Sequence, residues 1–586
     1  MKNQQLGVFS GMGLVIANMI GAGVFLSTGF MAQDMNSQQI LFAWFVGMLI
    51  AMAGAKAYSG LVQLVPQSGG EYRFLSTLMH PVLGYFAGWA SLLIGFSAPI
   101  AISAMAAGAF AGTLHSGINM TLIAVLVILT LMTAHAVGMR ISITAQNSLV
   151  AVKIILVIGF IITGLMYGNN AWPEWTPPNA SEGFPVGPFM RNLFYIAFAF
   201  SGWNAAIYAA SEFKNPKRDV PRAMILGCLA VGILYLFINW IFIANLTPEQ
   251  STIVFTYDTD RITLGHLIMQ NILGNAGAAC MSIFAIIAFI SSASAMTFLG
   301  PRVYSAMAQD GFLPTALKEK EGKPPVGAVV LQGAIALFLV LAYQLQDALK
   351  NVGAILTLFS ALTVFSLFWV YFKRKEFPRS APSVLIAGGL FFMISAVMLY
   401  YGFSESPTLN LWVGVCALAA LIGYFIAIRK MPEKDARMIP LFRFAVSVGI
   451  FTFAGPPVGT TVVLLLGVRN FAEFFDIMSY AYSVGAMPAG VAGILFGAII
   501  AKYNLGTVLS IITGLMAGAI ATALIFSLIV FSEGWVVVFG TIFGAISGAI
   551  CGLFTGRLFR NVSCSTPRPF PAGGGLPGEG DPYPDA

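Results

Sequence analysis

Residues that could do chemistry are scarce in this sequence and lie far apart. The five cysteines and four histidines are scattered, without the close spacing of a metal site or a disulfide framework. Clustered His, Asp, Glu or Cys, which a membrane enzyme would need, are nearly absent from the apolar segments, and there is no Walker A motif. The sequence therefore predicts no metal, no cofactor, no enzymatic activity and no use of ATP.

The chemistry that the sequence does suggest belongs to backbone groups. The apolar segment VIANMIGAGVFLSTGF has Gly21, Ala22 and Gly23 at its middle, and FYIAFAFSGWNAAIYAASEF has Ser201 and Gly202 at its middle. Glycine weakens a helix interior, and freed backbone groups at membrane depth are tolerated where they line a cavity. N–H groups at a half-helix N-terminus favour a carboxylate, and unwound carbonyls accept from an ammonium group. Such a site suits a zwitterion.

The spacing of the two interruptions predicts a topology. They lie five predicted spans apart, so the two helices would cross the membrane in opposite directions. This is typical of inverted five-helix repeats with a binding site at the membrane midplane. The alternative is that the glycines only allow close packing between helices, and the matched pair favours the first interpretation.

A lysine also lies deep in an apolar segment. Lys153 falls about nine residues into its span, within QNSLVAVKIILVIGF, which places it roughly 13 Å deep at a helical rise of about 1.5 Å per residue. Charges inside a membrane are costly and indicate function. The alternative, a side chain that snorkels to the headgroups, suits Lys56 better, because Lys56 lies nearer the end of its span.

The chain that carries these residues is 58% hydrophobic and 9% charged. Soluble domains are about 25% charged, so lipid must be its main solvent, and the net charge of +7 is assigned to loops rather than to nucleic-acid binding. Apolar stretches of roughly 20 residues, enough to cross about 30 Å of hydrocarbon, recur throughout. The sixteen predicted spans are 8–30, 40–64, 81–113, 119–137, 144–167, 188–210, 221–246, 270–298, 324–343, 348–372, 383–402, 408–429, 440–466, 477–501, 504–532 and 534–556. The predicted fold class is all-α membrane protein.

The basic residues test this count, because Lys and Arg favour cytoplasmic loops. With a cytoplasmic N-terminus, most of the 30 Lys and Arg residues fall in the alternate loops assigned to the inside. The segments assigned to the outside hold Arg191, Arg261, Lys350 and Arg469. The alternation persists along the chain, which predicts an even number of spans and two cytoplasmic termini.

The chain divides into four predicted parts. Residues 1–430 form a twelve-helix unit with both interrupted helices, and the charged segment 431–442 links it to a four-helix appendix at 443–560. The appendix has no recognised role. Its Gly-Pro-Pro sequence at 455–457 leaves a second pathway open, but packing or assembly is favoured, so a second copy or a partner could bind there. The tail at 561–586 is rich in Pro and Gly, which predicts disorder.

Four motifs within residues 6–430 give a family resemblance. They are NMIGAGVF in the first span, PQSGGEY after the second, FAFSGWNAA followed by SEFKNPKRDVPRA at the sixth, and GPRVYSAMAQDGFLP after the eighth. In this order they resemble the amino acid–polyamine–organocation superfamily of transporters, and FAFSGWN is most similar to the L-type amino acid transporter branch. The resemblance implies a LeuT-like fold of inverted five-helix repeats and amino acid transport by alternating access.

The resemblance also implies a set of backbone groups that bind the substrate. The N–H groups implied to bind the substrate carboxylate are those near Gly21, Ala22 and Gly23. The carbonyl groups implied to accept from the substrate ammonium group are those near Met19, Phe198 and Ser201. Phe198 matches the family's aromatic gate. Gly202 belongs to the same interruption as Ser201 and is counted among the substrate-binding residues.

Side chains at two further positions are implied to select the substrate. Asn204 and Met296 fall where relatives set side-chain selectivity. Many relatives also carry a Glu six residues before the Pro of PQSGGEY, where this sequence has Gly60. The function of that carboxylate is therefore in doubt here.

Lys153 acquires a specific role from the resemblance. Na⁺-independent members of the superfamily carry a lysine at this position. Its ammonium group takes the place of a sodium ion and bridges the first, fifth and eighth predicted spans. Ser291 and Ser292, in the eighth predicted span, are the candidate partners of Lys153. The resemblance thus implies transport that does not depend on Na⁺.

The sequence as a whole favours a secondary amino acid transporter in the cell membrane, plasma or inner, working as an exchanger or a proton-linked symporter. Polyamines or other organic amines are alternative substrates. A channel is a further alternative, but it would need a ring of like polar residues, and the sequence lacks that pattern. The expected partners are a small-molecule substrate and the lipid bilayer, with no nucleic acid. The substrate and the direction of transport stay open.

Overall fold

The computed structural model describes residues 6–137, 139–176, 184–247, 249–251, 254, 261–319, 325–342, 344–374, 381–405, 507–529 and 534–559, and isolated positions between 413 and 499. The chain forms two compact units, Met1–Cys416 and Ala417–Ala586. The predicted division at residue 430 stays a prediction. The predicted span 408–429, the linker 431–442, the first two appendix spans and the tail 561–586 lie outside the described residues, apart from those isolated positions.

All regular elements of the described residues are helices, and one isolated bridge pairs Leu6 with Phe213. The helices of the first unit are α1 Val8–Met19, α2 Ala22–Met31, α3 Ser37–Leu64, α4 Gly70–Leu78, α5 Pro81–Leu114, α6 Met120–Val137, α7 Met139–Tyr167, α8 Val186–Ala199, α9 Ala205–Tyr208, α10 Pro216–Ala244, α11 Leu264–Gln309, α12 Val326–Ala342, α13 Leu345–Arg374 and α14 Ala381–Glu405. Those of the second unit are α15 Thr507–Ile529 and α16 Gly534–Phe559.

By length and composition, 8 of the described helices could cross a membrane, or 9 when α1 and α2 count as one bent span. The prediction of an all-helical protein with many apolar spans is therefore confirmed. The exact number of spans and the inverted five-helix repeats stay predictions.

Two helices differ from their predicted form. The predicted span 270–298 is the middle of α11, which continues through Pro301 to Gln309 and has a positive φ of 68° at Gly274. The helix thus extends beyond the predicted end at residue 298, although proline removes a backbone donor from the helix. Within α5, residues Ser91–Ser97 form a π-helical segment, a feature that is often found at functional sites.

The burial pattern separates a protein core from a lipid-facing surface. All ten residues of α2 are buried, and α2 packs against α8, α10 and α11. By contrast, α6 and α7 expose Leu122, Leu126, Ile155 and Ile162 along their outer faces. Such apolar faces are what lipid requires, while the fully enclosed α2 must serve the interior of the unit.

In the second unit, α15 and α16 pack closely through small residues. Gly514 and Gly518 of α15 face Gly544, Gly548 and Gly552 of α16. Small residues let helix backbones approach each other in a membrane. This contact accounts for the pairing of the two helices.

Candidate functional site

The first helix is broken between α1 and α2. Ile20 leaves the helical region with φ −73° and ψ 99°, and Gly21 is extended with φ −154° and ψ −152°. The two halves meet at an angle of 40°. A helix end leaves its terminal backbone groups without helical partners, so the break frees carbonyls at the end of α1 and N–H groups at the start of α2.

The second break follows α8 and has a conformation that requires glycine. Residues 200–204 form turns between α8 and α9, and Gly202 has a φ of 99°. A Cβ atom at Gly202 would also lie 2.7 Å from the Cβ of Asn18. The left-handed φ and the close contact with α1 both exclude a side chain here.

The two breaks are in direct contact. A Cβ atom at Gly23, in the first turn of α2, would overlap the backbone of Ala199 at the end of α8. Together with the contact between Gly202 and Asn18, this brings the unwound segments of both helices to one place. The tertiary structure therefore juxtaposes the freed backbone groups that the sequence predicts separately.

Tyr235 of α10 links the breaks through its hydroxyl group. Its oxygen lies 2.5 Å from the carbonyl oxygen of Met19 and 2.9 Å from that of Ala199, and the tyrosine is fully buried. The hydroxyl has one proton to share between these two acceptors. Each carbonyl oxygen keeps a second lone pair for another donor.

Lys153 of α7 is tied to the break in helix 1. Its Nζ atom donates to the carbonyl oxygens of Ala17 and Ile20, both at 2.7 Å. The side chain is 0% exposed, whereas Ile155, two residues further on, is 69% exposed. The lysine thus points into the protein rather than to the headgroups, and the snorkelling alternative is wrong for this structure.

Ser291 and Ser292 of α11, the predicted partners of Lys153, are arranged differently. No hydrogen bond joins Lys153 to Ser291 or Ser292 among the described residues, and the Ser291 hydroxyl is buried without a hydrogen-bond partner there. Ser292 lies against Gly21, where an added Cβ atom would overlap its hydroxyl group. Lys153 therefore bonds to the first broken helix, and Ser292 of α11 lies against that break at Gly21.

A cavity lies beside the second break. Of the predicted substrate-binding residues, Ser201, Gly202, Asn204 and Met296 line it, together with Asn18 of α1. The remaining predicted residues do not line it; these are Met19, Gly21, Ala22, Gly23 and Phe198. In this structure Phe198 is buried, and the neighbouring Phe200 lines the cavity instead.

Glu71 of α4 also lines this cavity. Its Oε1 accepts from the Nδ2 of Asn204 at 2.6 Å and from the hydroxyl of Tyr58 at 3.1 Å, and its Oε2 accepts from the hydroxyl of Tyr208 at 2.7 Å. The carboxylate is buried, with 6% exposure. It binds α4 to the unwound part of the second broken helix.

Sequence reasoning missed Glu71, Tyr235 and Tyr208. Glu71 stands in the PQSGGEY motif, and an acidic residue beside two glycines was a signal that could have found it. The tyrosines carried no such signal, because each lies in an ordinary apolar run and acquires its contacts through packing between helices that are distant in sequence.

A second polar cluster lies where the loops meet at the ends of α4 and α11. Asp310 accepts from the Tyr72 hydroxyl at 2.5 Å and pairs with Arg73 at 2.9 Å. Burial, followed by the hydrogen bond to Asp310, raises the pKa of Tyr72 well above its ordinary value, so this hydroxyl stays protonated and donates at neutral pH. The cluster joins α4 to the end of α11.

The segment after α9, which contains Ser211 and Glu212, makes contacts with several other parts of the protein. Arg302 of α11 pairs with Glu212 at 2.8 Å, and Ser68 and Ser211 exchange two hydrogen bonds of 3.0 and 2.9 Å. The N–H of Leu6 donates to the carbonyl of Glu212 at 2.8 Å. These bonds connect three parts of the protein to the segment after α9. The three parts are the residues before α1, the loop before α4, and α11.

The described residues contain no group of three or more His, Cys, Asp and Glu side chains that could bind a metal ion. The site at the breaks instead consists of backbone groups, hydroxyl groups, amides, one lysine and one carboxylate. Such groups can bind a small polar solute.

A family model described as amino acid permease matches residues 6–428. The chain belongs to the amino acid permease family. This confirms the resemblance to amino acid–polyamine–organocation transporters over the predicted twelve-helix part. The match ends just before the predicted linker at 431–442.

Curated relatives of the permease are amino acid transporters. It is 24% identical over 443 residues to the b(0,+)-type amino acid transporter 1 of Mus musculus, which covers 72% of this chain and 88% of that protein. It is 23% identical over 419 residues to the large neutral amino acids transporter small subunit 2 of Homo sapiens, which covers 69% of this chain and 76% of that protein. The family and these relatives are transporters and not enzymes, and the permease is a multi-pass membrane protein.

Proposed function

We propose that the permease is a secondary active transporter that moves amino acids by alternating access and without Na⁺, as an exchanger or a proton-linked symporter. The contact between the two helix breaks supports this proposal. It brings the start of α2 against the end of α8, at Gly23 and Ala199, where freed backbone groups of both signs come together. A zwitterion needs both at once.

In this proposal the N–H groups near Gly21, Ala22 and Gly23 bind the substrate carboxylate. The carbonyls near Met19, Phe198 and Ser201 accept from its ammonium group. The Met19 carbonyl already accepts from Tyr235, and its second lone pair leaves room for a substrate donor. Asn204 and Met296, which line the cavity, contact the substrate side chain.

Lys153 serves as a permanent internal cation in this proposal. Its ammonium group donates to two carbonyls at the first helix break. There it supplies the positive charge that a bound sodium ion would supply at an unwound helix. Because that charge is covalently attached, transport needs no Na⁺. In this proposal, Ser291 and Ser292 of α11 contact Lys153 when the helices rearrange.

The wider arrangement belongs to the same proposal. The permease resides in a plasma or inner membrane with both termini in the cytoplasm, and residues 1–430 form the transporting unit of twelve helices. Residues 443–560 serve packing or assembly with a second copy or a partner. A reporter fused after Ala586 should behave as cytoplasmic, and an extracytoplasmic signal would overturn the predicted topology.

Counterflow in proteoliposomes tests the transport proposal. Vesicles loaded with unlabelled amino acids should accumulate the labelled ones without ATP, and replacing Na⁺ by choline should leave the initial rate unchanged. Empty liposomes give the background. Uptake that disappears in choline would contradict the internal-cation role of Lys153, and no saturable uptake of any amino acid would contradict the transport proposal itself.

A further inference from the structure

Glu71 brings a negative charge to the wall of the cavity. Among the described residues that line it, Glu71 is the single one with a formal charge. The wall around it combines small polar groups with apolar side chains such as Ile50, Phe96 and Met296. The carboxylate is therefore the strongest electrostatic feature that a solute in this cavity can meet.

The hydrogen bonds of Glu71 suit its ionised form. Asn204, Tyr58 and Tyr208 each direct a donor at it. An ionised carboxylate only accepts hydrogen bonds, and its two oxygens offer about four acceptor sites. Three of these are used, so the carboxylate is held in a fixed orientation with capacity for a further donor.

No internal cation neutralises this carboxylate in the described part of the chain. The ion pairs found there join Arg73 to Asp310, Arg218 to Asp219 and Arg302 to Glu212. Arg73, the nearest basic residue in sequence, is thus already paired with a different acid. A buried charge is costly unless an opposite charge accompanies it, so the cavity lacks a cation beside Glu71.

The position of Glu71 fits the end of a substrate side chain. Asn204 bonds directly to Glu71 and follows Ser201 and Gly202 in the same turn, where the proposed function binds the substrate backbone. The same cavity is lined by apolar side chains such as Phe96 and Met296 as well as by this carboxylate. Lysine and arginine side chains match both, with an apolar stem and a cationic end.

We propose that Glu71 binds a second positive charge on the substrate, so that the permease prefers amino acids whose side chain ends in an ammonium or guanidinium group. This inference rests on the proposed function, because it assumes that the helix breaks bind the substrate backbone. The substrate then supplies the cation that the cavity lacks, and Tyr58, Asn204 and Tyr208 orient the carboxylate toward it.

The wild-type protein provides the first test. In counterflow, unlabelled amino acids are tested as competitors for uptake of a labelled one. Lysine is compared with norleucine, which has the same stem without the charge, and arginine is compared with citrulline. Lysine and arginine should compete for uptake about tenfold better than their neutral counterparts, as expected for one charge-assisted contact. Equal competition by norleucine and lysine would overturn the role of Glu71, while leaving amino acid transport established.

The variant Glu71→Gln provides the second test. It keeps the shape of the side chain and removes the charge, so the preference for lysine over norleucine should disappear while norleucine uptake is retained. Glu174→Gln, which changes an exposed carboxylate outside the cavity, is the matched control and should keep the preference. Thermal unfolding of each purified variant checks that it is folded.

The remaining outcomes also decide the matter. If Glu71→Gln keeps the wild-type preference, another group recognises the charge and the proposal is wrong. If a folded Glu71→Gln loses uptake of lysine and norleucine alike, or if only its response to an imposed pH gradient changes, Glu71 serves closure or proton movement instead. If the wild type takes up no amino acid at all, it is the proposed function that fails.

Discussion

Two buried charges, Lys153 and Glu71, lie near the helix breaks in very different surroundings. Lys153 donates to two backbone carbonyls of helix 1 and does not line the cavity. Glu71 is held by side chains from three elements, α3, the turn before α9 and α9 itself, and does line it. A buried charge can therefore bind backbone groups of the protein itself, as Lys153 does, or lie in a cavity wall where a solute can bind to it, as Glu71 does.

The comparison leads to distinct expectations for transport. Changes around Lys153 alter the unwound helix itself, so they should affect every substrate alike. Changes around Glu71 alter the charged group among the described residues that line the cavity, so they should affect substrates according to their charge. Four variants test this distinction, and they follow in order of decreasing expected effect.

The largest effect is expected from Gly23→Leu, which should abolish uptake of lysine and norleucine alike. The new side chain would overlap the backbone of Ala199, and backbone cannot move aside as a flexible side chain can. Gly13→Leu on α1 is the control, because a Cβ atom there meets nothing within 4 Å. Uptake near the wild-type rate by inserted Gly23→Leu protein would refute the site at the first break.

Lys153→Ala should reduce turnover of all substrates by at least about a hundredfold, because it removes two charge-assisted bonds to freed carbonyls. Initial counterflow rates, normalised to the amount of inserted protein, measure the effect. Ile155→Ala, on the exposed face of the same helix, is the control. Wild-type transport by Lys153→Ala would show that the lysine is dispensable. A loss of uptake confined to cationic substrates would contradict the expectation that Lys153, unlike Glu71, affects all substrates alike.

Tyr235→Phe should slow uptake of all substrates by about tenfold, since the Met19 and Ala199 carbonyls lose their shared donor. The same initial rates report it, with Tyr167→Phe on an exposed tyrosine as the control. If Tyr235→Phe keeps the wild-type rate, the hydroxyl bridge between the breaks has no part in transport.

The smallest effect is expected from Tyr208→Phe, which removes one of the three donors to Glu71. The ratio of lysine to norleucine uptake should fall by about fivefold, because the carboxylate is less firmly oriented, while norleucine uptake is kept. Equal losses for both amino acids would assign Tyr208 to the structure of the break and not to recognition of charge.

Much of the fold could be predicted because hydropathy and glycine act locally. An apolar run of sufficient length must become a membrane helix, and Gly21 and Gly202 mark the places where the structure interrupts two of them. The end of α11 was predicted less well, since its continuation through Pro301 depends on neighbouring helices. The predicted twelve-helix unit, its inverted five-helix repeats and the four-helix appendix stay predictions.

Sequence reasoning alone predicted that the protein is helical and embedded in a membrane, that two of its helices are interrupted, and that Lys153 lies deep in its span. The packing of the helices was needed to find that Lys153 bonds to Ala17 and Ile20 rather than to Ser291 or Ser292. It was also needed to find that Glu71 lines the cavity beside Asn204. The reason is the distance along the chain over which each effect acts. Hydropathy and backbone freedom act within one helix, whereas a hydrogen bond between residues more than a hundred positions apart exists only where packing brings two helices together.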